Sequence, residues 1–221
     1  MKVYDRSFMN RNISAWVIVL LLLCVRSFAQ PHDYGKVWVQ GQSITYTTTF
    51  TSSARPINQI ADSGNLLYFS HGNSNICDSD GNLALLCDGY NLYNSSRNLI
   101  EGGDTIVPKE LFINQGGFSR YPQNSIILPF SNGRYGVVTP SASDSEFLNY
   151  WNNPQNGRAL YDLLLYHEVD MTANGGQGKV TKRMVPLIQH AKLSKTQMMA
   201  CRHGDGKSLQ AIIWVLLSLA F

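Results

Sequence analysis

Beyond its first 30 residues the chain alternates short apolar runs with small clusters of Gly, Asn, Asp and Ser. Lys36-Val37-Trp38-Val39 and Thr45-Tyr46-Thr47-Thr48-Thr49-Phe50 are strand-like, because β-branched and aromatic side chains suit a pleated surface. Arg55-Pro56 breaks that pattern, and residues 66–69 form a short apolar run. Ser74-Asn75-Ile76-Cys77 leads into Asp78-Ser79-Asp80-Gly81-Asn82, a cluster that tolerates the left-handed backbone of a hairpin turn. Residues 83–87 return, Asp88-Gly89 turns again, and residues 91–94 and Leu99-Ile100 follow at nearly even spacing. Short strands separated by such turns predict an antiparallel meander.

A clearer hairpin comes later. Ser125-Ile126-Ile127-Leu128-Pro129-Phe130 and Tyr135-Gly136-Val137-Val138-Thr139 flank Ser131-Asn132-Gly133-Arg134, and Asn-Gly between apolar runs is the strongest short-range hairpin signal. Pro129 cannot donate to a ladder, so this strand should lie at an edge or a bulge. Residues 159–171 read as a long strand, although 160–166 would also suit a buried helix. Residues 172–178 form a turn, and 180–187 pair back. Residues 196–202 are a further strand, and 209–221 a final apolar run. No long stretch of residues 30–221 has a helical period, so the fold class is all-β, built of antiparallel meanders. Residues 101–124 and 140–158 exceed what a hairpin needs, and Phe147, Tyr150 and Trp151 could pack the second stretch down as a short helix.

The first residues follow a different logic. Lys2, Arg6 and Arg11 precede an unbroken apolar run over 15–25, and Ser27-Phe28-Ala29 supplies small residues where a signal peptidase reads. Residues 1–29 are therefore expected to be a cleaved secretory signal, with export machinery as the first partner; the alternative is an uncleaved N-terminal anchor. The run is short for a membrane span, so no stable span is expected after cleavage. A lipoprotein reading through Cys24 fails because Leu22 and Leu23 stand where small residues are needed. Residues 1–29 carry Lys2, Arg6, Arg11 and Arg26 against Asp5, which leaves 14 of the 18 basic and 14 of the 15 acidic residues beyond them. That neutral remainder offers no footprint for nucleic acid or an acidic membrane surface. Cys77, Cys87 and Cys201 also remain. Cys77 and Cys87 flank a turn, where they would either bridge or sit as buried thiols.

Three segments, taken together, resemble a known group. These are ICDSDGNLALLCDGYNLYNSSRNLIEGGD at 76–104, LYDLLLYHEVDMTANGGQGKVTKRMVPL at 160–187 and KLSKTQMMACRHGDGKS at 192–208. They are similar to the N-terminal region of large secreted Bacteroidota proteins that commonly end in a type IX secretion sorting domain. The resemblance covers about residues 34–208 and implies a partial β-propeller with WD40- or YVTN-like blades. It implies blade turns at Asp78, Gly81, Asn82, Asp88 and Gly89, and a strand-to-loop motif at Asp170, Asn174, Gly175 and Gly176. Arg202, His203, Gly206 and Lys207 would open a further blade. The pattern departs after Lys207, where residues 208–221 turn apolar and no sorting domain follows. The expected organisation is thus a signal at 1–29, a propeller-like segment at 30–207 and a tail at 208–221, in a truncated or frame-shifted copy.

Chemistry-bearing motifs are sparse. Asp78 to Asn82 looks like the start of a calcium loop, but the twelfth position is Gly89 rather than an acid. Gly206-Lys207-Ser208 looks like the end of a phosphate loop, but Cys201 stands where the leading glycine belongs. His32, His71, His167, His190 and His203 have no metal-ligand spacing, and no G-x-S-x-G is present. His167 should face opposite to Glu168 on its strand, and both read as solvent-facing polar positions. Asp162, Glu168 and Asp170 are the candidates for a carboxylate pair. No catalytic, cofactor or metal residue is assigned. The expected function is an exported, non-catalytic binding or scaffolding module for a protein or glycan, contacting it through 101–124 and 140–158. The alternatives are a secreted glycan hydrolase and a fragment without independent function.

Overall fold

The computed structural model describes residues 33–41, 46–51, 57–60, 67, 69, 73–114, 123–153, 161–191, 193, 198–202 and 209–212. The expected signal at 1–29, the phosphate-loop likeness at 206–208, His203 and residues 213–221 lie outside them. Among the described residues every pairing between strands is antiparallel, in four open sheets, with one parallel bridge between Glu101 and Lys179. The first holds β1 (Val37–Gln40), β2 (Tyr46–Thr49) and β3 (Ile57–Ile60). The second holds β4 (Ser74–Cys77), β5 (Leu83–Cys87) and β6 (Leu92–Asn94), with Leu99 bridged to Tyr93. Four strands make the third: β7 (Ile126–Pro129), β8 (Arg134–Ser141), β9 (Leu163–Asp170) and β10 (Lys179–Ile188). β11 (Met199–Arg202) pairs with β12 (Leu209–Ile212), so the start of the apolar tail joins a ladder. Among the described residues two short helices interrupt the strands, α1 (Lys109–Asn114) and α2 (Asp144–Asn152), and a kinked helical turn at Ala173–Gly176 links β9 to β10.

The sheets pack on one another in chain order, and alternation along their strands shows how. Leu85 faces one side of the second sheet, joining Ile127, Val137 and Val169 of the third in a shared core. Its neighbour Leu86 faces the other side, with Val39, Leu67 and Phe69. Val138 and Leu164 leave the third sheet by its far face to meet Leu193 and Met198. Middle sheets covered on both faces need strands apolar at nearly every position, which is what Leu83-Ala84-Leu85-Leu86-Cys87 and Val137-Val138 provide. Gly136 of β8 is part of that fit: a Cβ there would stand 2.9 Å from the Phe130 ring and 3.0 Å from that of Tyr166.

Side-chain oxygens close the turns. Asp78 accepts from the amides of Asp80 (3.0 Å) and Asn82 (2.9 Å) and from the Asn82 side chain (3.2 Å), so its carboxylate closes the hairpin. Asp88 accepts from the amides of Tyr90 and Asn91, the Asn91 side chain and the Tyr93 hydroxyl. Asn94 takes the amides of Ser96 and Asn98. Asp170 takes the amide and hydroxyl of Thr172 ahead of a turn in which Asn174 and Gly175 are left-handed.

Several expectations are met and several corrected. The hairpins at 74–94, 126–141 and 163–188 form, and Pro129 lies on the edge strand β7, opposite Tyr135. β3 was not expected. Within 101–124, residues 109–114 form α1 rather than loop. Cys77 stands opposite Leu83 and Cys87 opposite Ser74, at opposite ends of the hairpin, and both are buried free thiols. Three residues of strand separate their positions by ~10 Å, beyond disulfide reach. No helix among the described residues is long and apolar enough to cross a membrane.

A shared core between the second and third sheets predicts that Leu85→Ala costs about 2–5 kcal/mol in urea unfolding. The exposed Leu99→Ala should change stability by less than about 0.5 kcal/mol. Equal, small effects would show that the two sheets do not share a core.

Candidate binding groove

The two long connections fold against each other. Ser143 caps α2, its hydroxyl accepting from the Glu146 amide at 3.2 Å. Asp162 holds that cap in place, taking the Ser143 amide at 2.6 Å and its hydroxyl at 2.7 Å. The buried Phe147 then stacks on Trp151 and joins Tyr90, Val107, Leu111 and Ala142 in a small separate core. From α1, Phe112 meets Tyr90 edge-to-face at 6.0 Å. The Glu110 amide donates to Asp144 Oδ1 at 3.1 Å, tying the start of α1 to the start of α2.

Between these helices and β10 lies an open groove of about 620 Å³. Val107, Phe112, Ile113 and Met184 give it apolar walls, with Lys109, Asp144 and Arg183 at its polar positions. Arg183 reaches across to donate to the carbonyls of Asp104 and Thr105, each at 2.8 Å. Two non-glycine residues beside the groove hold left-handed backbone, Thr105 at φ 47° and Met184 at φ 49°. For such residues this conformation costs about 1–3 kcal/mol and persists only when neighbours enforce it. Thr105 is enforced from two sides, its amide donating to Asn91 Oδ1 at 2.9 Å and its carbonyl held by Arg183.

Met184 is enforced by a buried histidine. It sits where the β9–β10 register shifts, between Lys182 and Val185, and its amide donates to His167 Nδ1 at 3.1 Å. With Nδ1 accepting, the ring proton belongs on Nε2, which lies 3.1 Å from the Thr139 hydroxyl. The imidazole is fully buried opposite Val137, and burial, reinforced by the Arg183 charge, lowers its pKa to about 4. His167 does face opposite to Glu168, but the expectation that it faces solvent is wrong. β9 is an inner strand covered on that face, and the ring's polarity is met internally.

The candidate carboxylates are dispersed. Asp162 holds the α2 cap. Glu168 pairs with Lys182 at 2.8 Å, which lowers its pKa. Asp170 closes its turn, and the Thr172 hydrogen bonds lower its pKa. None of the three lines the groove. Asp88 is the buried carboxyl: desolvation raises its pKa against the pull of its four donors. Burial likewise pushes the Cys87 thiol up to about 12. Among the described residues no three His, Cys, Asp or Glu side chains cluster as metal ligands.

Of the groove residues, 105–113 fall in the first stretch expected to make contacts and Asp144 in the second. Arg183 and Met184 carry no sequence signal, because a bulge depends on its partner strand. The sequence Ser143-Asp144-Ser145-Glu146 has the pattern of a capping box, of which the Ser143 half forms while Asp162 takes the Ser143 amide.

His167 yields a pH prediction. Its folded pKa lies below the unfolded 6.5, so its contribution is complete above that value and is lost as pH falls toward 4. Asp88, with a raised pKa, acts in the opposite direction, so the comparison is made against His167→Gln, which does not titrate at this position. Between pH 7.5 and 4 the wild type should lose about 3 kcal/mol relative to that variant in urea melts. Parallel profiles would mean that the imidazole is not held neutral.

Comparison with protein-family models, curated proteins and solved structures returned no match to this chain.

Proposed function

We propose that the chain is a non-catalytic binding module, exported and built of blade-like meanders, that holds its ligand in the groove between α1, α2 and β10. The carrying observation is that the two long connections fold onto each other and wall an apolar groove whose strained backbone is enforced by Arg183 and His167. Strain kept at a surface hollow is a feature of ligand sites. The blade-like reading is supported by open antiparallel sheets packed in chain order, with a complete four-stranded meander in β7–β10. Export is supported by the basic, apolar and small-residue succession of residues 1–29.

A glycan hydrolase is the second reading. It needs two carboxyl groups on opposite sides of a scissile bond. Among the described residues the groove offers one carboxylate, Asp144, already accepting from Glu110. Binding therefore has the better support.

On peptide and glycan arrays, the Ile113→Arg variant should lose at least about tenfold of the wild-type signal. The wild type should show no turnover of chromogenic glycosides. Ile113 is 54% exposed, so the substitution leaves the core intact. Array binding indifferent to Ile113, or turnover abolished by Asp144→Asn, would overturn the reading.

A further inference from the structure

The groove's polar groups do not balance. Lys109 is exposed, and its side chain makes no ion pair or hydrogen bond among the described residues. Arg183 touches two neutral carbonyls, which orient its guanidinium without neutralising it. The remaining basic residues of β10 are matched, Lys179 to Glu101 at 2.6 Å and Lys182 to Glu168 at 2.8 Å. Against Lys109 and Arg183 stands Asp144, whose carboxylate is partly engaged by the Glu110 amide. An excess positive charge thus borders apolar walls of Val107, Phe112, Ile113 and Met184.

We propose that the groove takes an acidic linear peptide segment of a partner protein. An apolar side chain would lie over Ile113 and Met184, and a neighbouring carboxylate between Lys109 and Arg183. This rests on the reading of the chain as a binding module and names its ligand class. Charge complementarity selects the acid, since a fixed guanidinium offers a carboxylate paired donors. The apolar walls select against an acidic glycan. Phe112 is half-buried and engaged edge-to-face with Tyr90, so it is not an open platform for stacking a sugar. The groove is open, with Ile113 54% and Met184 38% exposed, which suits a segment whose remaining residues stay in water. A second copy of the chain pairing along β10 is disfavoured. That edge carries Pro186, the paired Lys182 and the bulge at Met184, all of which blunt strand addition.

The test titrates the full-length chain into a dye-labelled heptapeptide with Leu-Asp-Leu at its centre, and into its Leu-Asn-Leu twin, by fluorescence anisotropy. The acidic peptide should bind about three- to fivefold more tightly at low salt, and the preference should fade as salt rises. Lys109→Gln should remove most of that preference while its thermal melt matches wild type, since the Lys109 side chain has no partner among the described residues. Arg183→Lys should retain part of it. Equal affinity for the twins would overturn the proposal. So would displacement by oligogalacturonate or a fatty acid of array ligands that neither peptide displaces. In both cases the binding-module reading survives if Ile113-dependent capture remains. Absence of any Ile113-dependent capture would overturn the two together.

Discussion

An amide proton at the end of a strand has lost its ladder partner and must find another acceptor or stay solvated. In this chain the acceptor is repeatedly an Asx side chain: Asp78, Asp88, Asn94 and Asp170 each take the amide two residues on, and the first three a second one as well. Those oxygens let strands of three to eight residues reverse within a few positions. Short strands with abrupt turns give narrow sheets, and narrow sheets can be stacked face to face in chain order. Asp88 shows the cost. Its carboxyl is buried enough for desolvation to raise its pKa, and the turn compensates with four donors.

The groove depends on the same rule applied within a strand. At Met184 the bulge takes an amide out of register, and His167 supplies the missing acceptor from inside the sheet. The imidazole must stay neutral to do so, and burial keeps it neutral. Arg183, one residue earlier, lines the same groove and holds the carbonyls of residues 104 and 105. One irregularity in β10 is therefore stabilised by a buried imidazole and shapes the groove that Arg183 and Met184 line.

The all-β character and the hairpins were legible because turn chemistry is local: Asp-Gly, Asn-Gly and their neighbours announce a reversal without reference to the rest of the chain. The resemblance to type IX secretion proteins and the partial propeller it implies are not local properties, and the four sheets of the described residues are open. His167 was misplaced because alternation says which residues share a face but not which face is covered. In a sheet buried on both sides, a polar residue on either face can be interior. α1 was missed because six residues hold too little periodicity, and its helix is fixed by Tyr90 and Asp144 from elsewhere. The short helix expected within 140–158 forms as α2, because its cap at Ser143 and its apolar Phe147 and Trp151 are local features.

The placement of Cys77 and Cys87 has a consequence for the chain's lifetime. In the native register they stand at opposite ends of one hairpin, and each is buried. Once the hairpin opens, the same two thiols are ten residues apart on a flexible segment and meet readily. In an oxidising compartment a bridge formed at that moment would join positions that the folded ladder holds apart, so refolding would first require its reduction. The durability of the protein outside a reducing environment would then be set by how rarely β4 and β5 separate, a matter of opening rate rather than of equilibrium.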